Sequence, residues 1–441
     1  MTDPTWSGQL NAAGAPLPGF NIIGHLTTST GMGNAARFIA EMLIRQGHAI
    51  CGMDVPYGSN ASQKKVTPSF VLIDSPHKLP HRYNIICVSI QLLPTLFLKL
   101  APGLLDRRFL NAGLIFWELP VIPPAWIPAL RIFDALLVCS DFTRRAIEYA
   151  VPEIPTVYVE HPLQKPPSQA SVASCRDRFG VPPEAFAFGA SFDLGGDITR
   201  KNVSALVNVF QKAFPHQSDV ALVLKCNGDR NQALANPELR GILLQAESDT
   251  RICMITETLP YATVLALYSA CDAYLSFHRA EGLGLGPMEA MMLGKPVVAT
   301  GYSGNNGYMT AQNSILLQYK LIKPKDCAWH YKASFAGNGA VWADVIEEDA
   351  VLALRSLKDQ PELQDLLGKR AARDINERQA VANQAPFIPL LIRFLEESRR
   401  SAKRKSNCRK LAALELFHPI LFRKNFGAAI TRLQRLLYEA F

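Results

Sequence analysis

The sequence predicts an α/β protein built from two doubly wound domains, each with a parallel sheet covered by helices on both faces. Its 441 residues are too many for one ordinary core and fit two or three domains. Short β-like runs alternate with helical patterns, which is typical of repeated strand–helix–strand units. Several runs are nearly continuous in Val, Ile, Leu and Ala, as expected of strands buried on both faces of a parallel sheet.

The predicted strands fall into two groups separated by a break. Clear examples are residues 20–23, 49–53, 83–88, 112–116 and 135–139, then 186–190, 221–225, 251–255, 273–277 and 296–300. The break is enriched in Pro, Ser and Gln, and we place the interdomain linker at 162–174. The predicted units are an N-terminal domain over 1–166, a second domain over 167–385, and a C-terminal helix and tail over 386–441. We expect the domains to face each other, with a ligand cleft at the carboxyl ends of both sheets.

The charge of the chain is concentrated at its C-terminal end. The whole sequence has a formal net charge of +8, but residues 399–441 contain eleven Lys and Arg against two Asp and Glu. Residues 1–398 hold 35 basic and 36 acidic side chains. A body with this balance does not favour binding to nucleic acid. Its 48% hydrophobic and 19% charged content also excludes a largely disordered protein.

Cysteine usage and the lack of a recognisable targeting segment predict a cytoplasmic protein. The nine cysteines are scattered with no Cys-x-x-Cys pair, so neither a zinc ribbon nor a thioredoxin-type redox motif is predicted. Most lie in apolar strand-like runs, as free thiols do in a reducing compartment. The N-terminus lacks the charged and apolar regions of a signal peptide, and no run of about 18 apolar residues predicts a membrane span.

The most informative segment is 274–304, YLSFHRAEGLGLGPMEAMMLGKPVVATGYSG. It predicts a strand, a glycine-rich loop at 281–286, a helix that opens near Pro287, and a second strand. Glycines let the backbone approach a ligand closely, and a helix N-terminus offers unpaired N–H groups and the positive end of its dipole. This loop therefore suits a phosphorylated sugar. Taken alone, the spacing of Glu281 and Glu289 favours a glycine-rich turn with a capping Glu over a binding site.

The whole segment resembles the E-x7-E segment of retaining GT-B glycosyltransferases of family 4, which includes many bacterial mannosyl- and glucosyltransferases. The matching parts are Glu281-Gly-Leu-Gly-Leu, Glu289-Ala-Met and Gly294-Lys-Pro-Val-Val-Ala-Thr. The resemblance implies a GT-B fold, with two facing Rossmann-like domains and a C-terminal helical extension. It implies that Glu289 binds the ribose hydroxyls of the nucleotide. It further implies that the donor sugar and diphosphate are held by Glu281 and by the backbone at Gly282, Leu283, Gly284 and Leu285.

A second matching stretch is FGASFDLGGDITRKN at 188–202, where a strand, a loop and a helix start follow one another. Members of the family carry a basic pair, or an Arg and a Lys, near this point, and these neutralise the leaving diphosphate. By this resemblance Lys201 is the first candidate and Arg200 the second, and with Glu281 they are the predicted catalytic residues. The family more often has an Arg about five residues before the Lys, where this chain has Gly196. The division of labour between the two cations therefore stays open, and a solvated basic pair is the alternative.

Two stretches of the first domain complete the predicted cleft. After the strand at 20–23 comes a turn with Gly31 and Gly33, and family members have a glycine-rich loop here, near the donor phosphates and the acceptor. The pattern Gly31-x-Gly33-x-x-Ala36 also imitates a dinucleotide-binding fingerprint, but seven residues separate the strand from the first glycine, which argues against NAD. Glu118, in a Trp-Glu pair similar to one in related bacterial transferases, is a candidate to contact the acceptor or the donor sugar. The alternative is a salt bridge at a strand end.

Further candidates flank the glycine-rich loop. His278 and Arg279 precede it and are candidates to contact the donor phosphate or sugar. Residues 302–305, Tyr-Ser-Gly-Asn, replace a more common Gly-Gly-x-x-Glu loop of the wider family. We expect three of them near the sugar, namely Ser303, Gly304 and Asn305. His161, which precedes a proline, resembles part of the hinge turn that closes the first domain and is interpreted as structural.

The resemblance implies transfer of a hexose from a nucleotide diphosphate sugar to a saccharide or lipid-linked saccharide, with retention at the anomeric carbon. No Asp-x-Asp motif, which holds a divalent metal in the other major transferase fold, occurs in the chain, so we expect no metal and no cofactor besides the donor. The context of residues 278–281 and 302–305 resembles that of mannosyltransferases of polysaccharide assembly, and this resemblance favours GDP-mannose as the donor, in polysaccharide or glycolipid synthesis. The alternatives are another GT-B-fold enzyme, such as a sugar-nucleotide epimerase, and, more remotely, a nucleic-acid-binding protein that uses the basic tail.

The basic tail predicts where the enzyme is located. Residues 399–441 combine a basic cluster with apolar residues at helical spacing, interrupted by Pro419. Such segments are typical of peripheral binding to anionic membranes, and many family members act on lipid-linked saccharides. We therefore expect a cytoplasmic enzyme that is peripheral on the inner face of the cytoplasmic membrane. A solvated charge run, or helices packed on the protein or on another subunit, are the alternatives.

Overall fold

Strands and helices alternate along the computed structural model, which describes residues 17–56, 66–164, 168–325 and 339–400. The described strands form two large parallel sheets, one in each half of the chain, and a separate antiparallel pair. The prediction of an α/β fold with two parallel sheets and a C-terminal helical region is confirmed.

The first sheet has seven parallel strands in the order β3-β2-β1-β4-β5-β6-β7. The strands β1, β5 and β6 are buried along their whole length, as their apolar sequences predict. By contrast, β3 and β7 are two and three residues long, too short to give a recognisable pattern. The bounds are β1 (Phe20–Gly24), β2 (Ile50–Asp54), β3 (Val71–Leu72), β4 (Tyr83–Cys87), β5 (Leu110–Ile115), β6 (Ala135–Val138) and β7 (Thr156–Tyr158).

The helices of this half are α1 (Gly31–Arg45), α2 (Leu93–Leu104), α3 (Ile127–Leu130) and α4 (Asp141–Ala150). The first helix begins at Gly31, inside the glycine-rich turn predicted around Gly31 and Gly33, because the Thr30 hydroxyl accepts a hydrogen bond from the Gly33 N–H and caps the helix. Both glycines therefore lie in the first turn of α1 and not in a loop. Ser140 caps α4 in the same way, at 3.2 Å from the Thr143 nitrogen.

The second sheet has six parallel strands in the order β10-β9-β8-β11-β12-β13. An antiparallel pair, β14 and β15, follows it. The bounds are β8 (Phe186–Asp193), β9 (Val220–Asn227), β10 (Ile252–Thr256), β11 (Ala273–Ser276), β12 (Val297–Thr300), β13 (Ile315–Leu317), β14 (Tyr319–Ile322) and β15 (Trp342–Val345).

The helices of the second half are α5 (Gln169–Phe179), α6 (Ile198–Lys201), α7 (Val203–Ala213), α8 (Arg230–Ala235), α9 (Pro237–Ser248), α10 (Tyr261–Ala270), α11 (Leu285–Met292) and α12 (Glu347–Asp359). The linker predicted at 162–174 extends too far, because α5 already begins at Gln169. The helix predicted to open near Pro287 instead begins at Leu285. Pro287 occupies its first turn, where a missing N–H costs nothing.

Two C-terminal helices tie the halves together, α13 (Pro361–Gln384) and α14 (Phe387–Arg400). The side chain of Gln379 donates to the His161 carbonyl at 2.9 Å and accepts from the Leu163 N–H at 2.7 Å, so α13 holds the segment that joins the two sheets. The chain then reverses at Ala385, whose φ is 47°, and α14 packs back against β5, β6 and β7. Leu391 and Leu395 of α14 are fully buried there.

A row of buried asparagines fixes the register of the first sheet at its amino-terminal edge. Asn21 donates to Asn84 at 2.8 Å, Asn84 donates to Asn111 at 2.8 Å, and the Asn111 N–H donates to Asp134 at 2.8 Å. Ser398 of α14 hydrogen-bonds the other oxygen of Asp134. Because each buried amide needs a partner, a slip of one strand would leave several polar groups unpaired.

Among the described helices, none is both long and apolar enough to cross a bilayer. The basic tail lies outside the described residues from position 401 onward.

Candidate active site

A cavity of about 300 Å³ lies where the carboxyl ends of the two sheets meet. In doubly wound folds ligands bind at this edge, because side chains from several strand ends converge there. The first domain contributes the start of α1 and the segment after β5. The second domain contributes the ends of β8, β9 and β11, the start of α10, and the glycine-rich loop with α11. Of the predicted site residues, the cavity is lined by Gly31, Glu118, Lys201, Glu281, Gly282, Leu283, Gly284, Leu285 and Glu289.

The glycine-rich loop turns sharply to open helix α11. Gly284 precedes the helix with φ of 85° and ψ of 62°, a left-handed conformation that strongly favours glycine. Its carbonyl accepts a hydrogen bond from the Tyr308 hydroxyl at 2.5 Å. The turn thus brings the first N–H groups of α11 to the cavity, as a site for anionic groups requires.

The first domain contacts this loop at Gly282. Its carbonyl accepts hydrogen bonds from the hydroxyls of Ser140 at 2.5 Å and Thr143 at 3.4 Å. A Cβ at position 282 would lie 3.0 Å from the nitrogen and 3.2 Å from the oxygen of Trp117. The backbones of the two domains therefore approach each other here more closely than most side chains would allow.

Buried charges surround Glu281. Lys201 forms an ion pair with its carboxylate, and the Arg200 guanidinium lies 3.2 Å from the same oxygen. Arg200 also donates to the Ala280 carbonyl at 2.6 Å and lies 3.8 Å from Glu118. Burial alone would raise the pKa of Glu281, but Lys201, Arg200 and His278 outweigh it and lower this pKa to about 2. Glu281 is therefore ionised at every physiological pH.

The two cations have different positions, which the sequence alone left open. Lys201 lines the cavity with a quarter of its side chain exposed, whereas Arg200 is buried behind Glu281 and does not line it. Lys201 can meet a ligand directly. Arg200 instead contacts the Glu281 carboxylate and the Ala280 carbonyl, so the two cations are not equivalent in this structure.

Glu289 lies on α11, buried and facing the cavity. Burial raises its pKa to about 8, although the Tyr261 hydroxyl, which donates to it at 2.5 Å, and the charge of Lys225 both act to lower it. Tyr261 also packs its ring against Phe38 of α1, with ring centroids 5.1 Å apart. The first domain thus contacts the residue that hydrogen-bonds the Glu289 carboxyl group.

Four residues predicted to contact the donor lie behind the glycine-rich loop instead. Ser303 accepts a hydrogen bond from the Glu281 N–H at 2.8 Å, and the Gly304 N–H donates to the Glu281 carbonyl at 2.9 Å. His278 bridges Ser276 and Asn305 through its two ring nitrogens, at 2.9 and 3.0 Å. None of Ser303, Gly304, Asn305 and His278 lines the cavity. They support the loop from behind, because the chain after β12 folds against it.

Arg279 also lies away from the cavity. Its side chain donates to Asp344 at 2.8 Å and to the Thr199 carbonyl at 2.6 Å. The residue joins α6, the glycine-rich loop and β15, so the predicted contact with donor phosphate is replaced by a structural one.

The two glycines of α1 differ in what they do. Gly31 lines the cavity and has open space where a Cβ would be. At Gly33 a Cβ would meet the carbonyl oxygens of Thr28 and His25 at 2.5 and 2.6 Å. Gly33 therefore lets α1 pack closely on the turn before it and does not itself line the cavity.

Several cavity residues were missed by the sequence analysis. Ser191, Asp193, Lys225 and Asn227 come from the ends of β8 and β9. His161, which was interpreted from the sequence as structural, also lines the cavity, from the segment after β7. Among these residues only Lys225 gives a signal in the sequence, as a single charge within the otherwise apolar run ALVLKC. His161 is buried between Phe38 and Phe116, and burial lowers its pKa to about 4, so its ring is neutral. In the described part of the chain no three His, Cys, Asp or Glu residues are grouped so as to hold a metal ion.

Residues 194–328 match the family described as "Glycosyl transferases group 1". This stretch contains the glycine-rich loop, both basic residues and Glu289. No match was found among curated proteins.

Solved structures resemble the chain over most of its length. Sucrose-phosphate synthase from Thermosynechococcus elongatus is 14% identical with a TM-score of 0.62, covering 87% of this chain and 100% of its own. Anabaena HepE, in complex with UDP and glucose, is 13% identical with a TM-score of 0.61, covering 85% and 99%. A glycosyltransferase from Rickettsia africae ESF-5 is 12% identical with a TM-score of 0.58, covering 87% and 99%. These likenesses confirm the predicted GT-B fold, and with the family match they support a glycosyltransferase.

The close approach at Gly282 gives a first prediction. Gly282→Ala should lower the thermal unfolding midpoint, because the added methyl group forces the loop away from Trp117 and stretches the hydrogen bond from Ser140. Gly241→Ala is the matched control, since Gly241 lies inside α9 with open space around it. That change should raise stability by about 0.5–1 kcal/mol through helix propensity. Equal midpoint shifts in the two variants would contradict the close contact.

The raised pKa of Glu289 gives a second prediction. With a pKa of about 8 in the folded state and 4.5 as its model value, the folded protein holds this proton over a range where the unfolded chain has lost it. The contribution to stability is thus greatest below about pH 4.5 and falls as pH rises toward 8, by at most roughly 1.4 kcal/mol per pH unit. The side chain in Glu289→Gln stays neutral at every pH. The unfolding midpoint of this variant should therefore rise relative to that of the wild type as the pH increases from 5.5 to 8. A constant difference between the two proteins across that range would show that the carboxyl group is ionised throughout.

Proposed function

We propose that the protein is a retaining glycosyltransferase of family 4 that moves a hexose from a nucleotide diphosphate sugar to a saccharide or lipid-linked saccharide. The observation that carries this proposal is the cavity between the sheets. It brings together an ionised carboxylate at Glu281, a cation at Lys201, a buried carboxyl group at Glu289 and the N-terminus of α11. These are the groups that a sugar, a diphosphate and a ribose need.

On the donor side, Glu289 accepts hydrogen bonds from the ribose hydroxyls, and the N–H groups at the start of α11 face the diphosphate. Glu281 and the backbone of 282–285 hold the sugar. Because Lys201 lies at the cavity and is paired with Glu281, its ammonium group is already oriented when the donor enters. Such preorganised charge is effective where the phosphate develops negative charge on leaving.

The reaction exchanges one bond at the anomeric carbon for another. The bond between this carbon and the phosphate oxygen breaks, and a bond to the acceptor hydroxyl oxygen forms on the same face. The departing phosphate takes the proton of the acceptor, so that no protein base is required. Lys201 stabilises the charge on the leaving diphosphate. With this neutralisation supplied by the protein, turnover should persist in the presence of a chelator.

The sugar, the base and the pathway rest on sequence resemblance. The context around residues 278–281 and 302–305 favours mannose from GDP-mannose, in polysaccharide or glycolipid synthesis. Anabaena HepE was solved with UDP, so UDP-sugars belong in any test. A panel of GDP-, UDP- and ADP-sugars, followed by calorimetry and by product analysis with saccharide and lipid-linked acceptors, identifies the donor. A sugar nucleotide isomerised without any acceptor would instead indicate an epimerase.

Lys201→Ala should bind the donor found in that panel but turn it over about 100-fold more slowly, because the leaving group loses its cation. The fold should persist, since Arg200 still balances Glu281 at 3.2 Å. Lys212→Ala, at an exposed ion pair far from the cavity, is the control. The measurement is kcat and KM for each variant. A Lys201 variant with wild-type kcat would remove the leaving-group assignment.

We further propose that the enzyme is cytoplasmic and peripheral on the inner face of the cytoplasmic membrane through its basic tail. Truncation after Arg400 keeps all of α14, including the Ser398 contact to Asp134. The shortened protein should lose binding to vesicles of anionic lipid while keeping its unfolding midpoint and its turnover on a soluble acceptor. Equal vesicle sedimentation of the full and shortened chains would exclude the anchor. Neutral vesicles serve as the reference.

A further inference from the structure

The side chain of Lys225 is a buried cation at the candidate site. Lys225 lies near the end of β9, is 5% exposed and lines the cavity. Its hydrogen bond goes to the side-chain oxygen of Asn227 at 3.3 Å, a long contact. Among the described residues no carboxylate lies within 4.0 Å of its ammonium group. Asp193 and Glu289 act on it only from a longer distance.

This arrangement differs from that of the other two cations. The charges of Lys201 and Arg200 are balanced by Glu281, with Glu118 close to Arg200. Burial lowers the pKa of Lys225, and the more distant Asp193 opposes that effect. A buried ammonium without a carboxylate partner is costly in a folded protein. An anionic ligand bound in the cavity would balance this charge, which explains why a lysine is placed there.

The position of Lys225 is set by the sheet. In the parallel register of β8 and β9, Lys225 pairs with Ser191, and Asn227 pairs with Asp193. Ser191, Asp193, Lys225 and Asn227 all line the cavity. Asn227 in turn donates to Asp193 at 2.6 Å and to the Ser29 carbonyl of the first domain at 3.2 Å. The neighbourhood is therefore fixed by both domains, and Asp193 is held by Asn227 and not by the lysine.

We propose that Lys225 is a second phosphate-binding cation of the site and binds the nonbridging oxygens of a nucleoside diphosphate. This inference rests on the proposed function, because it assumes that a nucleotide diphosphate occupies the cavity. Lys225 adds a second positive charge to that of Lys201, and among the described residues no carboxylate forms an ion pair with it. It binds the ligand and takes part in no bond change.

The test compares Lys225→Met and Lys225→Arg with Lys212→Met, a change at an exposed pair with Glu347. Calorimetry of wild type with UDP, GDP and ADP identifies the diphosphate that binds best. Its affinity, and that of the matching nucleoside monophosphate and of inorganic pyrophosphate, is then measured for each variant. Lys225→Met should weaken the diphosphate about 10- to 100-fold, the size expected for a charge-assisted hydrogen bond. Lys225→Arg should keep most of the affinity, and Lys212→Met should equal the wild type.

The ligand-free unfolding midpoint separates binding from a structural role. Because Lys225→Met removes a buried charge without a close partner, its midpoint should equal or exceed that of the wild type. A lower midpoint together with weaker binding, unrelieved by Lys225→Arg, would overturn the proposal in favour of a structural lysine. Unchanged diphosphate affinity in Lys225→Met would overturn it while leaving the proposed function standing. If the wild type binds none of the three diphosphates, the proposed function fails, and this inference fails with it.

Discussion

The buried, ionised carboxylate of Glu281 is the interaction on which the geometry of the cleft depends. A carboxylate at that depth is stable only with cations beside it, and Lys201 and Arg200 hold helix α6 against the loop for this reason. The next residue, Gly282, offers its carbonyl to Ser140 of the first domain. The glycine-rich loop is thus held to helix α6 through Glu281 and to the first domain through Gly282. The carboxylate and both cations are thus held in place by contacts within the protein.

Net charge and local charge are separate properties in this chain. The formal value of +8 comes from residues 399–441, while the remainder is close to neutral. Inside the cleft, positive and negative side chains largely cancel in pairs. The ion pairs of the site differ from the surface pairs in being buried. Exposed ion pairs contribute little to the stability of the folded protein. The sign of the whole molecule therefore says little about the charge inside the cleft.

The sequence predicted the architecture because strands buried on both faces leave continuous apolar runs, as in β1, β5 and β6. It missed β3 and β7 because two or three residues carry no pattern. Glu281, Glu289 and Lys201, which line the cavity, were predicted as site residues because each belongs to a contiguous motif. His278 and Asn305 were misplaced because their side chains pair with each other behind the loop, a contact that only the tertiary fold creates. Lys225 was missed since a lone lysine in an apolar strand has no motif around it.

The return of α14 to the first sheet has a consequence for biosynthesis. Strand β7 ends at Tyr158, but the helix that covers β5–β7 begins only at Phe387, about 230 residues later. At translation speeds of about 5–20 residues per second, that interval lasts roughly 10–50 s. Throughout it the nascent first domain presents an apolar face that Leu391 and Leu395 later close. The first domain is thus the first to emerge and among the last to be completed.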